Sequence, residues 1–106
     1  MEDWISVAKS DEFVPGDRRV VEAQGTRIVV FNLDGEYYAI EDMCTHDYAP
    51  LDGGLIEGDA IMCPRHGARF CIKTGEALSP PAYEAITTFP VRVENGVVFV
   101  RDNRFD

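Results

Sequence analysis

The chain has 106 residues, enough for one domain but too few for two separate hydrophobic cores. Its composition is 45% hydrophobic and 27% charged, which is typical of a globular protein rather than a disordered or fibrous one. Nineteen acidic against ten basic residues give a formal net charge of −9, and this balance argues against binding to a nucleic-acid backbone. We therefore expect a single domain over residues 1–106.

The sequence also argues against a membrane or an exported location. Its longest unbroken apolar runs, residues 28–31 and 97–100, are far too short to cross a bilayer. The first five residues contain two acids and no base, so they lack the basic-then-apolar order of a secretion signal. Three cysteines without such a signal do not indicate a disulfide framework. We expect a soluble, cytoplasmic protein whose thiols serve packing, metal binding or reactivity.

From its N-terminus, the chain has the pattern of short strands separated by turns. Residues 10–13 can form at most one helical turn, because a proline follows closely behind them. Residues 26–31 and 36–41 are rich in β-branched and aromatic side chains, which favour strands. Between these two runs lies Asp34-Gly35, a dipeptide that suits a two-residue hairpin turn.

The C-terminal part repeats this pattern. Residues 89–94 and 97–101 flank Asn95-Gly96, a second dipeptide typical of a hairpin turn. Within the first of these runs, apolar residues occupy every second position from Phe89 to Val93, which predicts a half-buried strand. Capped segments with a helical period of 3.6 are missing from the sequence. We therefore predict an all-β fold.

One stretch of the chain, residues 28–64, carries acids and neither lysine nor arginine, and we call it the acidic segment. One interpretation is a solvated surface that resists aggregation, and another is a surface that steers a basic partner towards a nearby site. Its eight acids are Asp34, Glu36, Glu41, Asp42, Asp47, Asp52, Glu57 and Asp59.

A candidate metal centre lies at this acidic segment. The chain has only two histidines, and each follows a cysteine closely, in Cys44-Thr45-His46 and in Cys63-Pro64-Arg65-His66. Both groups fall on predicted loops that follow strand-like runs. Two thiolates and two imidazoles on neighbouring loops can hold one inorganic centre, so we predict that these cysteines and histidines are its ligands.

The chemistry of this donor set fits two kinds of centre. Two cysteines and two histidines can hold tetrahedral zinc, or a [2Fe–2S] cluster in which histidine replaces cysteine on one iron. Zinc fingers keep their cysteines together and their histidines together on either side of a helix, whereas here each loop carries one of each. The mixed arrangement favours the cluster, and a structural zinc module remains the alternative.

The two boxes resemble the cluster-binding boxes of Rieske iron–sulfur proteins, and the similarity extends through residues 31–41, 70–76 and 79–82 over essentially the whole chain. Its length most resembles the Rieske-type ferredoxins of bacterial aromatic ring-hydroxylating dioxygenase systems. The resemblance implies an all-β fold of three small antiparallel sheets, with a cluster-binding subdomain of about residues 43–83 inserted in a β base. It also implies one [2Fe–2S] Rieske cluster.

The family pattern implies a role for each ligand. Cys44 and Cys63 would bind the inner iron, and His46 and His66 the outer iron nearest the solvent. The resemblance further implies that the turn Ser79-Pro80-Pro81 covers the cluster. Gly67 would let the backbone approach the cluster closely, because glycine has no Cβ.

Some positions depart from the pattern of high-potential respiratory Rieske proteins. Ala49 and Arg65 stand where those proteins have two further cysteines joined as a disulfide, and Ala68 stands where they have a serine hydroxyl. Fewer hydrogen-bond donors to the cluster sulfurs stabilise the added electron less. We therefore expect a potential near the low end of the Rieske range, roughly −150 mV.

The function that the resemblance implies is one-electron transfer within an aromatic hydrocarbon catabolic system. The protein would pass electrons from a flavoprotein reductase to a terminal oxygenase, docking transiently at its cluster tip under electrostatic steering. The alternative is the Rieske-like small subunit of a larger reductase such as assimilatory nitrite reductase. We expect no catalysis by the chain itself, because both histidines are ligands.

Three remaining residues have simpler interpretations. Cys71, between two apolar neighbours, fits neither box and is expected to pack in the core. Arg65 and Arg69 are each expected either to contact a partner or to pair with a carboxylate of the acidic segment.

Overall fold

β-Branched and aromatic runs form the strands of the computed structural model, which describes residues 4–23, 25–43, 50–64, 67–79 and 84–103. These residues contain one single-turn 3-10 helix, Ser10–Glu12, where at most one turn was expected. In the described ranges, no helix has the length and apolar character needed to cross a bilayer. The strands are β1 Ile5–Lys9, β2 Arg18–Ala23, β3 Thr26–Leu33, β4 Glu36–Glu41, β5 Leu55–Glu57, β6 Ala60–Met62, β7 Arg69–Cys71, β8 Ala77–Ser79, β9 Thr88–Phe89, β10 Val91–Glu94 and β11 Val97–Val100.

These strands form three antiparallel sheets. The first has the order β1-β11-β10, the second β2-β3-β4-β9 and the third β5-β6-β7-β8. All four strands of the third sheet lie in the chain between β4 and β9, which are neighbours in the second sheet. The predicted all-β fold of three small sheets, one of them inserted in a β base, is thus confirmed. The subdomain limits of about 43 and 83, and a single domain over residues 1–106, stay predictions.

Both predicted hairpin turns are present. Asp34 has φ 55° and Gly35 φ 95° between β3 and β4, and Asn95 has φ 53° and Gly96 φ 76° between β10 and β11. Two successive positive φ values match the twist of the flanking antiparallel strands. Asparagine, aspartate and glycine tolerate this conformation, so the dipeptides locate the turns correctly.

The predicted strand over residues 89–94 is divided in two. Pro90 ends β9 because it has no N–H to donate to a sheet. On its two sides the chain joins different sheets, since β9 pairs with β4 and β10 pairs with β11. The expected alternation also fails at Val93, whose side chain is 47% exposed.

β3 supplies buried side chains to two separate hydrophobic clusters. Ile28 and Val30 pack with the first sheet, and Val29 and Phe31 face the third sheet. Burial on both faces explains the unbroken apolar run in this part of the sequence. The cluster between the second and third sheets also includes Leu51, Ile61, Cys63, Ala68, Phe70, Ile72 and Ile86.

Candidate metal centre

Cys63 is the predicted ligand that the structure describes. It directly follows β6, and only 1% of its surface is exposed. Its amide donates to the carbonyl of Ala68 at 2.7 Å, and its carbonyl accepts from the amide of Gly67 at 3.0 Å. These bonds hold Cys63, the first residue of the second box, next to the residues that follow this box, and Gly67 has φ +76°, a conformation that favours glycine. The close approach of this glycine to a cluster stays a prediction.

The other three predicted ligands, Cys44, His46 and His66, lie outside the described residues. Within the described ranges, no group of three or more potential metal-binding side chains occurs. The complete ligand set therefore stays a prediction. Positions 49, 65, 80 and 81, which the sequence interpretation also used, lie outside the described residues as well.

The described flanks of the two boxes lie next to each other. Leu55 in β5 is paired with Met62 in β6, one residue before Cys63. The turn before β5 is also close, since a Cβ on Gly54 would overlap the carbonyl oxygen of Met62. The chain that leaves the first box thus runs beside the chain that enters the second, as two loops sharing one centre require.

The start of the predicted covering turn lies on the same side. Ser79, the last residue of β8, is paired with Arg69 in β7. The Ser79 hydroxyl also accepts from the Arg69 amide at 3.1 Å. The described part of this turn is thereby placed beside the loop that follows Cys63.

The acidic segment has mostly the exposure that the sequence suggested. Asp34, Glu36, Asp52, Glu57 and Asp59 are exposed and Glu41 is partly buried, while Asp47 is outside the described residues. Arg69 pairs with Glu57 at 3.0 Å, which favours the second of its two interpretations. Asp42 differs from the rest because its side chain is 0% exposed. The interpretation as a solvated surface therefore does not apply to Asp42.

Asp42 is the residue near the first box that sequence reasoning missed. Its Oδ1 accepts from the amides of Leu51 and Asp52, and its Oδ2 accepts from the guanidinium of Arg27. Its position two residues before the first box does not by itself distinguish it from the other acids of the acidic segment. Only the folded chain shows that these groups meet.

The expectation that Cys71 packs in the core is wrong. Cys71 is only partly buried, whereas its neighbours Phe70 and Ile72 are both 0% exposed. Successive side chains of a strand point to opposite faces, so burial of Phe70 turns Cys71 away from the core. Burial opposes ionisation of the Cys71 thiol, but hydrogen bonds from Thr74 and Lys73 lower its pKa below the ordinary value.

The chemistry around Cys63 fits an iron–sulfur centre. Its thiol forms no disulfide and is buried directly after the end of β6. A thiolate buried among apolar side chains is the usual donor to iron in such clusters, and the apolar surroundings limit access of solvent. The described donor is therefore compatible with a cluster shared between two loops.

Comparison with known proteins defines the class to which this fold and site belong. The family model described as "Rieske [2Fe-2S] domain" matches residues 3–90. The chain belongs to the Rieske [2Fe–2S] family. Its cofactor is accordingly one Rieske-type [2Fe–2S] cluster, and the zinc alternative is set aside.

Within the family, the chain is similar to ferredoxins. It is 37% identical over 95 residues to the biphenyl dioxygenase ferredoxin subunit of Pseudomonas sp. (strain KKS102), covering 89% of this chain and 87% of that protein. It is 50% identical over 74 residues to the 3-phenylpropionate/cinnamic acid dioxygenase ferredoxin subunit of Escherichia coli (strain K12), covering 69% and 70%.

A solved structure gives the same result. A chain in a complex of reduced oxygenase and oxidized ferredoxin of carbazole 1,9a-dioxygenase superposes with a TM-score of 0.89 and 35% identity, covering 95% of this chain and 94% of that chain. The resemblance to Rieske-type ferredoxins of aromatic ring-hydroxylating systems is confirmed.

Proposed function

We propose that this chain is a one-electron carrier of an aromatic ring-hydroxylating dioxygenase system. It takes electrons from a flavoprotein reductase and passes them to a terminal oxygenase. The observation that carries this proposal is the similarity to proteins named as ferredoxin subunits of dioxygenases, over 89% of this chain for one and 69% for another. Such proteins deliver electrons and do not themselves transform the substrate, so the chain is an electron-transfer component.

The proposed ligands are Cys44 and Cys63 for the inner iron and His46 and His66 for the outer iron. When bound, the cluster supplies the site that gains and loses the electron. The protein fixes the backbone at Cys63, because the amide and the carbonyl of this residue are both hydrogen-bonded, to Ala68 and Gly67. The buried cluster of apolar residues behind it supports the loop.

The partners enter the proposal on two different grounds. A terminal oxygenase is supported by the oxygenase–ferredoxin complex in which the similar structure was solved. The flavoprotein reductase, docking at the cluster tip and the cytoplasmic location rest on the sequence interpretation. Exposed acids of the acidic segment, Asp52 and Glu57 among them, would attract a basic partner surface.

The ligand set is tested by comparing two cysteine variants. Cys63→Ala should abolish the EPR signal of the dithionite-reduced protein and remove bound iron and sulfide. Cys71→Ala is the matched control, since it removes a thiol that no box contains, and it should leave the spectrum and the iron content unchanged. Loss of the signal in the control, its persistence in Cys63→Ala, or a colourless wild type with one zinc would each contradict the proposal.

A further inference from the structure

Asp42 is a buried carboxylate at the entrance to the first ligand loop. It directly follows β4 and precedes Cys44 by two positions. Its side chain is 0% exposed, which is unusual for a carboxylate unless charge and hydrogen bonds compensate its burial. Both kinds of compensation are present.

The two carboxylate oxygens have different partners. Oδ1 accepts from the amide of Leu51 at 2.8 Å and from the amide of Asp52 at 2.7 Å. Oδ2 accepts from Nε of Arg27 at 3.1 Å and from Nη2 of the same guanidinium at 2.9 Å. One oxygen thus binds the far end of the loop, and the other binds strand β3 of the base.

These contacts close the loop that carries the first box. The bond from Leu51 to Asp42 spans nine positions in the chain, and Cys44 and His46 lie between its ends. Leu51 is itself 0% exposed, so its side chain anchors the same point in the core. The amide of Asp42 donates to the Arg27 carbonyl at 2.9 Å, which ties the near end of the loop to β3.

We propose that Asp42 is a positioning residue for the cluster, whose buried carboxylate, held by Arg27, joins the two described ends of the loop that carries the proposed ligands Cys44 and His46 and anchors this loop to strand β3. The inference rests on the proposed ligand set. A buried ion pair is in general a weak source of net stability, because desolvation offsets the attraction between the charges. Groups that hold metal ligands in place, by contrast, strongly affect the retention of the metal.

The test compares Asp42→Ala with a matched control, Asn32→Ala. Asn32 is also buried, at 3% exposure, and its side chain also bonds to backbone groups, donating to the Phe13 carbonyl and accepting from the Gly35 amide. It closes the β3–β4 turn, where no ligand is predicted. Both variants should therefore lose thermal stability, which a merely structural role already explains.

The two variants should differ in the properties of the cluster. Asp42→Ala should shift the EPR g-values of the reduced protein and speed iron release to a chelator about 10- to 100-fold. Asn32→Ala should leave both unchanged. Asp42→Asn should give an intermediate change, because its amide oxygen can still accept from the amides of Leu51 and Asp52 but its NH2 group cannot accept from the Arg27 guanidinium.

The positioning role of Asp42 can be overturned by several results. Wild-type g-values and iron release in Asp42→Ala, or equal changes in Asn32→Ala, would overturn the positioning role. If Asp42→Ala does not fold, Arg27→Ala decides, since that side chain is 51% exposed and its removal should be tolerated. Faster iron release in this variant supports the inference, and an unchanged rate overturns it. A wild type without a Rieske spectrum would instead overturn the ligand set.

Discussion

Tyr38 in β4 lies within a group of charged side chains that bridges the second and third sheets. Its hydroxyl donates to Oε1 of Glu36 at 2.9 Å, and the ammonium of Lys73 lies 5.5 Å from the centre of its ring. Lys73 also pairs with Asp59 at 3.6 Å, and Asp59 is the main cause of the raised pKa of Lys73. Glu36 and Tyr38 belong to the base, whereas Asp59 and Lys73 belong to turns of the inserted sheet.

This arrangement predicts opposite effects of two substitutions on the pKa of Tyr38. The hydrogen bond to Glu36 raises the pKa above its ordinary value, and the positive charge of Lys73 lowers it. Glu36→Gln should therefore lower the pKa of Tyr38, and Lys73→Gln should raise it further. Titration of the tyrosine ring carbons by NMR measures both.

The sign of the linked effect on stability follows from the same contacts. The protonated phenol is the form that Glu36 stabilises, so its contribution is present below the pKa of the unfolded chain, about 10. It is lost as pH rises through the higher folded pKa.

In the NMR titration, shifts of the Tyr38 pKa in the same direction in Glu36→Gln and Lys73→Gln would contradict the assigned contacts.

At the level of single residues, the sequence was sufficient to predict the candidate ligands, but it did not predict which acidic residue the fold buries. The pairing of cysteine with histidine in two boxes needs only chemical knowledge, and it identified Cys63 correctly as belonging to a loop. Asp42 could not be recognised, because an acid among eight acids has no pattern that distinguishes it. Its burial depends on Arg27 and Leu51, which are fifteen and nine positions away in the chain.

At the level of elements, one backbone contact between the inserted sheet and the base lies at the turn between β7 and β8. The carbonyl of Gly75 accepts from the amide of Ile86 at 2.7 Å, which joins this turn to the segment leading into β9. Gly75 has φ +81°, and a Cβ at this position would overlap the carbonyl oxygen of Ile86. Both the conformation and the lack of space require glycine.

We predict that Gly75→Ala destabilises the protein more than Gly25→Ala does. Gly25 has a similar φ of +84°, but no atom lies within 4 Å of the position of its Cβ. The control should cost about 1–2 kcal/mol for the left-handed conformation alone. Gly75→Ala should cost about 1–3 kcal/mol more, because the backbone at Ile86 must move. Thermal unfolding of the holoprotein measures the difference, and equal midpoints would contradict the close contact.

The elements themselves were predictable where local chemistry determines them. Asp34-Gly35 and Asn95-Gly96 have the positive φ values that two-residue hairpins need, and both turns occur where predicted. The division at Pro90 was harder to predict, because a strand that changes sheets and one that continues have similar apolar patterns. The proline was a visible signal, but the partner sheets of β9 and β10 depend on distant parts of the chain.

At the level of the whole molecule, the excess of acidic residues has a kinetic consequence. A net charge of −9 creates a field that accelerates encounter with a basic partner and that salt screens. The net charge alone does not specify where a partner docks. Exposed acids next to the ligand loops would attract a basic partner to that part of the surface, whereas acids elsewhere contribute only to the overall field.

We therefore predict different effects from removing one charge at two places. Asp52 is exposed and its amide bonds to Asp42 at the end of the first ligand loop, whereas Asp11 is exposed on the 3-10 helix of the base. At low ionic strength, Asp52→Asn should slow electron transfer to the terminal oxygenase about two- to threefold, since one unit charge near the docked partner contributes roughly that much. Asp11→Asn carries the same change in net charge and should have a smaller effect.

Stopped-flow measurement of the second-order rate constant against salt concentration distinguishes local from global electrostatics. Both variants and the wild type should converge at high salt, because exposed charges are screened beyond about 3 Å at 1 M. Equal slowing by Asp52→Asn and Asp11→Asn would show that only the net charge matters. A wild-type rate that does not depend on salt would remove steering from the mechanism and leave contact at the cluster tip to determine the partner.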